Sequence, residues 1–188
     1  VAEPVRHVRL AVDRVDYMVP LDLTQYVGKT VALDIHVGDG HRRTDVNKDI
    51  CWTRMELSDE FSVENIEKYR PVFHHTPQYG WMNDPNGMFY KDGVYHLYYQ
   101  YNPYGSMWGN MHWGHSTSTD LVHWEHHPVA IAPDQWGTIF SGSAAVDTDN
   151  SAGFGENAVI AMYTSAGITQ KQSMAYSLDG GKTFTAYD

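Results

Sequence analysis

The chain has 188 residues, with 13 Lys and Arg against 23 Asp and Glu, so its formal net charge is −10. This acidic charge balance argues against a nucleic-acid-binding protein, which typically carries a basic surface. The sequence contains no run of about 18 apolar residues, the length that a membrane-spanning helix needs. Cys51 is the single cysteine, which excludes an internal disulfide. We therefore predict no nucleic-acid partner and no membrane span.

The first segment, residues 1–70, is predicted to form a small β module. Val8, Leu10 and Val12 alternate with polar neighbours, as the residues of a half-buried strand do, and "TVALDIHVG" (30–38) repeats this alternation. "SDEFSVENIEKY" (58–69) favours a short helical turn, because Ser58 precedes acidic residues at a possible helix start. Because the predicted strands begin so close to Val1, we expect earlier strands of this module to be missing.

From Pro71 to the end, residues 71–188, strand and turn signals follow each other without long helical periodicity. "GMFYKDGVYHLYYQYN" predicts a hairpin around Asp92-Gly93, a favoured tight-turn pair. Further strands are predicted in "HWGHSTS", "HWEHHPVAI", "SGSAAVD", "AVIAMYTS" and "QSMAYSL". The fold class is therefore all-β.

A weak internal repeat runs through this second segment. Ser118 and Asp120 in "STDLVHW" recur as Ser177 and Asp179 in "SLDGGKTF", and "LYYQ" upstream has a counterpart in "AMYT". A four-stranded unit of roughly 50–60 residues is typical of a propeller blade. Two units are fewer than the 4–8 blades that close a propeller, so we expect the first two blades of a chain that is cut off.

"WMNDPNG" (81–87) is the most informative short stretch. Asp84-Pro85-Asn86-Gly87 has the residue preferences of a type I turn, and a purely structural turn is one interpretation. The other is a carboxylate aimed at a ligand, because aromatic side chains flank the turn and can exclude water around Asp84. The high aromatic content, 13 Tyr and six Trp, suits both a β core and a carbohydrate site.

Histidines are frequent between residues 112 and 127, and metal binding is the alternative to be weighed. His112 and His115 are three apart, so on one strand they point to opposite faces. Zinc requires three or four convergent ligands, and we therefore expect hydrogen-bonded structural histidines and no metal. Trp113 and Trp124 are likewise predicted to be core rings.

Four motifs in this order resemble glycoside hydrolase family 32, the β-fructofuranosidases, which include invertases, inulinases and levanases. They are "WMNDPNG" (81–87), "YQYNP" (99–103), "WGNMHWGHSTSTDLVHW" (108–124) and "FSGSAAVD" (140–147). The resemblance covers about residues 72–188 and implies a five-bladed β-propeller. It also implies a retaining hydrolase that acts on fructan or sucrose, has no metal or organic cofactor, and is exported from the cell.

The same resemblance implies roles for individual residues. Asp84 is expected to be the nucleophile that forms a covalent fructosyl-enzyme. The fructose pocket is expected to be lined by Trp81, Asn83, Gln100, Trp108, Phe140 and Ser141.

Two family motifs are missing from this sequence. There is neither an Arg-Asp-Pro motif, whose Asp stabilises the transition state in the family, nor a Glu-Cys pair, whose Glu is the acid and base. Glu125 and Glu156 are the candidate substitutes, but we expect an exposed strand end and a loop position for them. We therefore expect these 188 residues alone to be inactive, and we keep two alternatives: a non-catalytic fructan-binding propeller and a fructosyltransferase.

Overall fold

The computed structural model describes residues 23–32, 56–59, 70–105 and 107–187. A single 3-10 turn, Thr24–Tyr26, precedes eight β-strands in this part of the chain. The strand predicted around residues 8–12, most of the run at 30–38, most of the helical turn at 58–69, and Cys51 lie outside the described residues. Within the described ranges, no helix has the length and apolar character needed to cross a membrane.

The eight strands form two sheets of four, each in simple sequential order and antiparallel throughout. The first sheet consists of β1 (Trp81–Lys91), β2 (Val94–Asn102), β3 (His112–Ser118) and β4 (Glu125–Ile131). The second consists of β5 (Thr138–Asp147), β6 (Ala158–Ala166), β7 (Gln170–Ser177) and β8 (Thr185–Tyr187). The prediction of an all-β fold with two consecutive four-stranded units is confirmed.

The hairpin predicted at Asp92-Gly93 is also confirmed. Lys91 pairs with Val94 across a two-residue loop, and both loop residues have positive φ angles, 51° and 85°. Two positive φ values in sequence are characteristic of a type I′ turn, whose twist matches that of the flanking strands. Local sequence therefore sets the register of β1 against β2.

The type I turn predicted at Asp84-Pro85-Asn86-Gly87 is wrong. These residues continue through β1 without a chain reversal, and the register against β2 shifts twice, between Met82 and Pro85 and again between Asn86 and Phe89. Each shift inserts one extra residue, which makes a β-bulge. Pro85 is tolerated because β1 is an edge strand of its sheet, where a missing N–H costs little.

The repeat appears as the same turn between the third and fourth strands of each sheet. In the first sheet the Ser118 hydroxyl donates to Asp120 Oδ1 at 3.1 Å, and that carboxylate accepts the backbone N–H of His123 at 2.8 Å. In the second sheet the Ser177 hydroxyl donates to Asp179 Oδ1 at 2.7 Å. The short serine and aspartate side chains satisfy backbone groups that no strand partner reaches, which explains why they recur.

This repeat leads to a stability prediction at Leu121. Leu121 has a φ of 65°, in the left-handed region, whereas the corresponding turn of the second sheet uses Gly180 and Gly181. Leu121→Gly should therefore raise the free energy of unfolding by roughly 0.5–1 kcal/mol, because it removes the steric cost of a side chain at positive φ. Urea denaturation measures the change, and Gly180→Ala should lower stability as the reciprocal control.

One core lies between the two sheets. Tyr98 and Trp113 from the first sheet are fully buried and pack with Ile139 and Tyr163 from the second. The Tyr98 hydroxyl donates to the carbonyl oxygen of Gly181 at 2.6 Å, so a polar bond fixes the distance between the sheets. Burial raises the pKa of Tyr98, which therefore stays protonated and able to donate.

The first strands of the two sheets, β1 and β5, pack against each other along this core. The Gly142 N–H donates to the buried side-chain oxygen of Asn86 at 3.1 Å. Gly87 has no side chain, and one there would press on the rings of Trp113 and Tyr98 and on Ala144. This close seam brings the bulged part of β1 next to the start of β5.

The histidines of the first sheet are part of its packing. His112 Nδ1 lies 2.6 Å from the Asn110 carbonyl oxygen, and His115 is fully buried and stacked on Tyr98. Burial, together with the nearby ring of His127, lowers the pKa of His115 to about 3. His115 is therefore neutral at physiological pH, as expected for a structural histidine.

Candidate active site

A pocket of about 270 Å³ opens where β1 and β5 meet. Six of the seven residues predicted to form the site line this pocket, and two further residues, Thr164 and Gln170, complete its wall. The lining residues are Asn83, Asp84, Gln100, Trp108, Phe140, Ser141, Thr164 and Gln170. Residues from both sheets thus converge on one concave surface.

Asp84 lies in the first bulge of β1, where its carboxylate is exposed to the pocket. Ser141 Oγ, from β5, donates a hydrogen bond to Asp84 Oδ2 at 2.7 Å. This bond, followed by one from Asn83, lowers the pKa of the Asp84 carboxyl. The group is therefore an anion at neutral pH, with a defined orientation and one oxygen already occupied by the serine.

Trp81 acts on the pocket through its neighbour. Its indole Nε1–H donates to Asn83 Oδ1 at 2.8 Å, and Trp81 itself does not line the pocket. Because the oxygen of the Asn83 amide accepts from the indole, its NH₂ group is the end that serves Asp84. A chain of hydrogen bonds therefore runs from Trp81 through Asn83 to the carboxylate.

Gln100 lies at the buried base of the pocket. It comes from β2, and its Nε2 donates to the backbone oxygen of Ile139 in β5 at 3.0 Å. This bond uses one amide hydrogen and fixes the orientation of the side chain. The other amide hydrogen and the amide oxygen engage no other described residue, so they can bind a hydroxyl group that enters the pocket.

Trp108 and Phe140 provide the apolar part of the wall. The loop that carries Trp108 is held by Asn102, whose Nδ2 donates to Met107 O at 3.0 Å and whose Oδ1 accepts from Tyr104 N at 3.1 Å. Trp108 is 52% exposed, and its ring centroid lies 5.8 Å from that of Phe140 at an interplanar angle of 59°. An exposed ring and a half-buried ring, tilted against each other beside hydrogen-bonding groups, suit the amphipathic surface of a sugar.

Thr164 and Gln170 were not predicted from the sequence as site residues. They lie on the hairpin formed by β6 and β7, which contributes its wall from the second sheet. The internal repeat contained one signal for Thr164. It aligns "AMYT" with "LYYQ", so that Thr164 occupies the position in the second unit that Gln100 occupies in the first. No comparable signal marked Gln170.

Asp84 is the one ionisable side chain among the described residues that line the pocket. Glu125 and Glu156, the candidate substitutes for an acid, are both exposed and neither lines the pocket. Their positions agree with the expected strand end and loop. The described part of the site therefore offers one carboxylate, that of Asp84, and several hydrogen-bonding groups, without a second carboxyl group.

Two family models match the chain. The "Glycosyl hydrolases family 32 N-terminal domain" matches residues 74–188, and a domain of unknown function, DUF4980, matches residues 4–73. The first match includes every residue that lines the pocket. The two matches meet between residues 73 and 74.

The chain is similar in sequence to a levanase and an exo-inulinase, and in sequence and structure to a fructofuranosidase. The chain is 58% identical over 125 residues to the levanase of Bacillus subtilis (strain 168), covering 64% of the chain and 18% of the levanase. It is 48% identical over 144 residues to an extracellular exo-inulinase of Aspergillus niger, covering 65% of the chain and 27% of the exo-inulinase. The solved structure of a fructofuranosidase from Schwanniomyces occidentalis, complexed with fructose, matches at 48% identity with a TM-score of 0.61. The match covers 63% of the chain and 26% of the fructofuranosidase. The chain thus spans less than a third of each of these proteins.

Proposed function

Because the chain belongs to glycosyl hydrolase family 32, we propose that the protein containing it releases fructose from β-fructosides, with Asp84 as the nucleophile. The observation that carries the proposal is the oriented carboxylate: Asp84 is exposed to a sugar-sized pocket while Ser141 and Asn83 hold it. A carboxylate kept ionised and aimed into a pocket is the starting state that a covalent glycosidase mechanism requires.

In the proposed reaction, Asp84 uses the oxygen that Ser141 does not occupy. That oxygen attacks the anomeric carbon of a terminal fructosyl unit, and the bond from this carbon to the leaving-group oxygen breaks. The leaving oxygen takes a proton from an acid, and water later cleaves the fructosyl–Asp84 ester. Two displacements at the same carbon give net retention of configuration.

Retaining chemistry needs a second carboxyl group about 5–5.5 Å from the nucleophile, to serve as acid and then base. The described lining residues contain none besides Asp84. We propose that this group, and the aspartate that stabilises the transition state, come from parts of the protein other than these 188 residues. The chain alone would then bind a fructosyl unit without hydrolysing it.

The remaining pocket residues have proposed roles in holding fructose. Gln100 binds a ring hydroxyl with its amide oxygen and its remaining amide hydrogen, and Asn83 binds one with the amide hydrogen that does not serve Asp84. Trp108 and Phe140 pack against the apolar faces of the sugar. Trp81 orients Asn83, and Ser141 orients Asp84.

The proposed substrates are levan, inulin or sucrose, the polymers and the disaccharide that present a terminal fructosyl unit. The names of the levanase and exo-inulinase relatives support this class. We also propose that the protein is exported, supported by the extracellular label of the Aspergillus niger relative. The proposed division of the chain is a β module at residues 1–70 and two propeller blades at residues 71–188.

The direct test is fructose release from sucrose, inulin and levan, measured side by side for the complete protein and for this 188-residue chain. We expect release by the complete protein and none by the chain. Release by the chain would place the second carboxylate within these residues and refute the proposed division of the catalytic groups. No release from any of the three by the complete protein would refute the proposed activity.

A prediction about pH follows from the bond between Ser141 and Asp84. Ser141→Ala removes the largest cause of the lowered Asp84 pKa, so that pKa rises. Because the nucleophile must be ionised, the acid limb of kcat/KM should move to higher pH. We also expect a loss of roughly 10-fold at the optimum, since a hydrogen bond to a charged group is removed.

A pH profile of kcat/KM for sucrose measures both effects of Ser141→Ala. Ser141→Thr is the matched control, because it keeps the hydroxyl and should keep the acid limb close to that of the unmutated protein. An acid limb that stays in place in Ser141→Ala would contradict the assignment of Ser141 as the group that orients Asp84.

A fructan-binding protein without catalysis is the second candidate, favoured by the lone carboxylate among the described lining residues. Calorimetric titration of the complete protein with inulin and levan, combined with an assay for released fructose, distinguishes a binding protein from a hydrolase. Tight binding without any fructose released over a long incubation would favour the binding protein, whereas turnover excludes it.

A further inference from the structure

The proposed chemistry leaves two lining residues of the pocket without a role, Thr164 and Gln170. Both belong to the second sheet, whereas the nucleophile belongs to the first. They sit near the two ends of the hairpin loop at residues 167–169, Thr164 in β6 and Gln170 at the start of β7. Phe140 and Ser141 lie on β5 of the same sheet, the strand that packs against β1. The hairpin is formed by the next two strands of that sheet, so it is the side of the pocket further from Asp84.

The base of this hairpin is firmly held. Ser165 Oγ and Ser173 Oγ are hydrogen-bonded at 2.7 Å across the two strands, and Gln172 Nε2 donates to the Tyr163 carbonyl oxygen at 2.7 Å. Gly137 packs so closely on the backbone of Ala166 that no side chain would fit between them. The hairpin therefore presents its polar side chains from a fixed position.

The polar groups of the two residues are available to a ligand. No described residue hydrogen-bonds to the Thr164 hydroxyl or to the Gln170 amide, although both line the pocket. Thr164 is half-buried and Gln170 is exposed. A hydroxyl and an amide, facing a pocket that also contains the rings of Trp108 and Phe140, form the mixed polar and aromatic surface of a sugar site.

The position of this hairpin, two strands beyond β1, together with the exposure of Gln170, indicates which part of a substrate it meets. Gln100 is 2% exposed and lies at the base, and the proposed fructosyl position is between it and Asp84. Gln170 lies at the exposed rim. The bond that breaks joins the fructosyl unit at the base to the rest of the substrate, so the rest of the substrate extends toward the rim.

We propose that Thr164 and Gln170 bind hydroxyl groups of the leaving-group sugar and so select substrates whose leaving group is a carbohydrate. This inference rests on the proposed function and deepens it by assigning the leaving-group side of the site. Hydrogen bonds to a substrate hydroxyl discriminate against an analogue that lacks the hydroxyl, because the polar groups of the site are then left unpaired.

The test compares two substrates of the complete protein. Sucrose has a hydroxylated leaving group, and para-nitrophenyl β-fructofuranoside has an aryl leaving group without hydroxyls. Gln170→Ala and Thr164→Val should each lower the ratio of kcat/KM for sucrose to kcat/KM for the aryl fructoside by roughly 3- to 10-fold, the value of one neutral hydrogen bond. Thr164→Ser keeps the hydroxyl and should keep the ratio.

Ile168→Ser is the matched control, because Ile168 is fully exposed at the tip of the same hairpin and does not line the pocket. It should leave both rates and their ratio unchanged. Equal losses for both substrates in Gln170→Ala and Thr164→Val would overturn the inference, since they indicate contact with the fructosyl unit or a disturbed fold. Unchanged kinetics in both variants would overturn it as well.

The outcome also separates this inference from the proposed function. If the unmutated protein releases fructose from both substrates and the ratio does not change in either variant, the assignment of the leaving-group wall alone fails. If the unmutated protein releases fructose from neither substrate, the proposed function fails and this inference fails with it.

Discussion

Replacing the proposed nucleophile, Asp84→Asn, should lower the rate of fructose release by the complete protein by about four orders of magnitude. The change keeps the size and shape of the side chain but removes the negative charge that attacks the anomeric carbon. Ser141 can still donate to the amide oxygen, so the pocket should keep its geometry. Substrate binding should therefore change much less than kcat.

Asp149→Asn is the matched control for this experiment. Asp149 is an exposed aspartate of the loop after β5 and does not line the pocket, so its amide variant should keep full activity. Initial rates with sucrose, together with thermal unfolding of each variant, separate lost chemistry from lost folding. If Asp84→Asn kept more than a tenth of the activity, a covalent role for Asp84 would be excluded.

Gly142→Ala should have the largest effect on stability among the substitutions considered, about 3 kcal/mol or more. A methyl group at Gly142 would run into the Met162 carbonyl oxygen and lie 2.8 Å from the Tyr163 Cα. Both are backbone atoms of β6, which cannot move aside as a flexible side chain can. The strand carrying Ser141 would have to shift away from β6 and from Asn86.

Activity should fall together with stability in Gly142→Ala, because Ser141 is the adjacent residue and holds Asp84. Urea denaturation measures the first effect and kcat with sucrose the second. Ser143→Ala is the control on the same strand. Its side chain is exposed, so the change should stay within about 0.5 kcal/mol of the unmutated protein. A Gly142→Ala variant as stable and active as Ser143→Ala would contradict the close approach of Gly142 to the backbone of β6.

Local signals in the sequence predicted most of the described fold. The Asp92-Gly93 pair set a hairpin because two residues with positive φ close antiparallel strands with the right twist. The recurring Ser118 and Asp120 pattern predicted a repeated unit because each copy caps the same turn with the same hydrogen bonds. Both signals act within a few residues, and short-range chemistry is readable from one sequence.

The errors concern features that depend on distant contacts. Asp84-Pro85-Asn86-Gly87 has the composition of a turn, yet pairing with β2 and the bond from Gly142 to Asn86 keep it extended, with bulges. The wall formed by Thr164 and Gln170 was missed for a related reason. Its residues reach the pocket only because two sheets pack together, and no local pattern encodes that packing.

Six of the seven predicted site residues do meet in one pocket, and they were named through the family motifs. The structure adds what motifs do not contain: which group bonds to which. Trp81 donates a hydrogen bond to Asn83 rather than lining the pocket, and Ser141 donates one directly to the Asp84 carboxylate. The roles of these residues in catalysis remain proposals that the substitutions above test.

The most direct test of Asp84 as the nucleophile is detection of the covalent intermediate. The complete protein would be mixed with an activated aryl β-fructoside, quenched in acid within the first turnover, digested with protease and analysed by mass spectrometry. We predict a peptide containing Asp84 that is heavier by one fructosyl unit, with fragment ions that place the added mass on that aspartate. Fructose release with no labelled peptide, or with the label on another residue, would contradict Asp84 as the nucleophile.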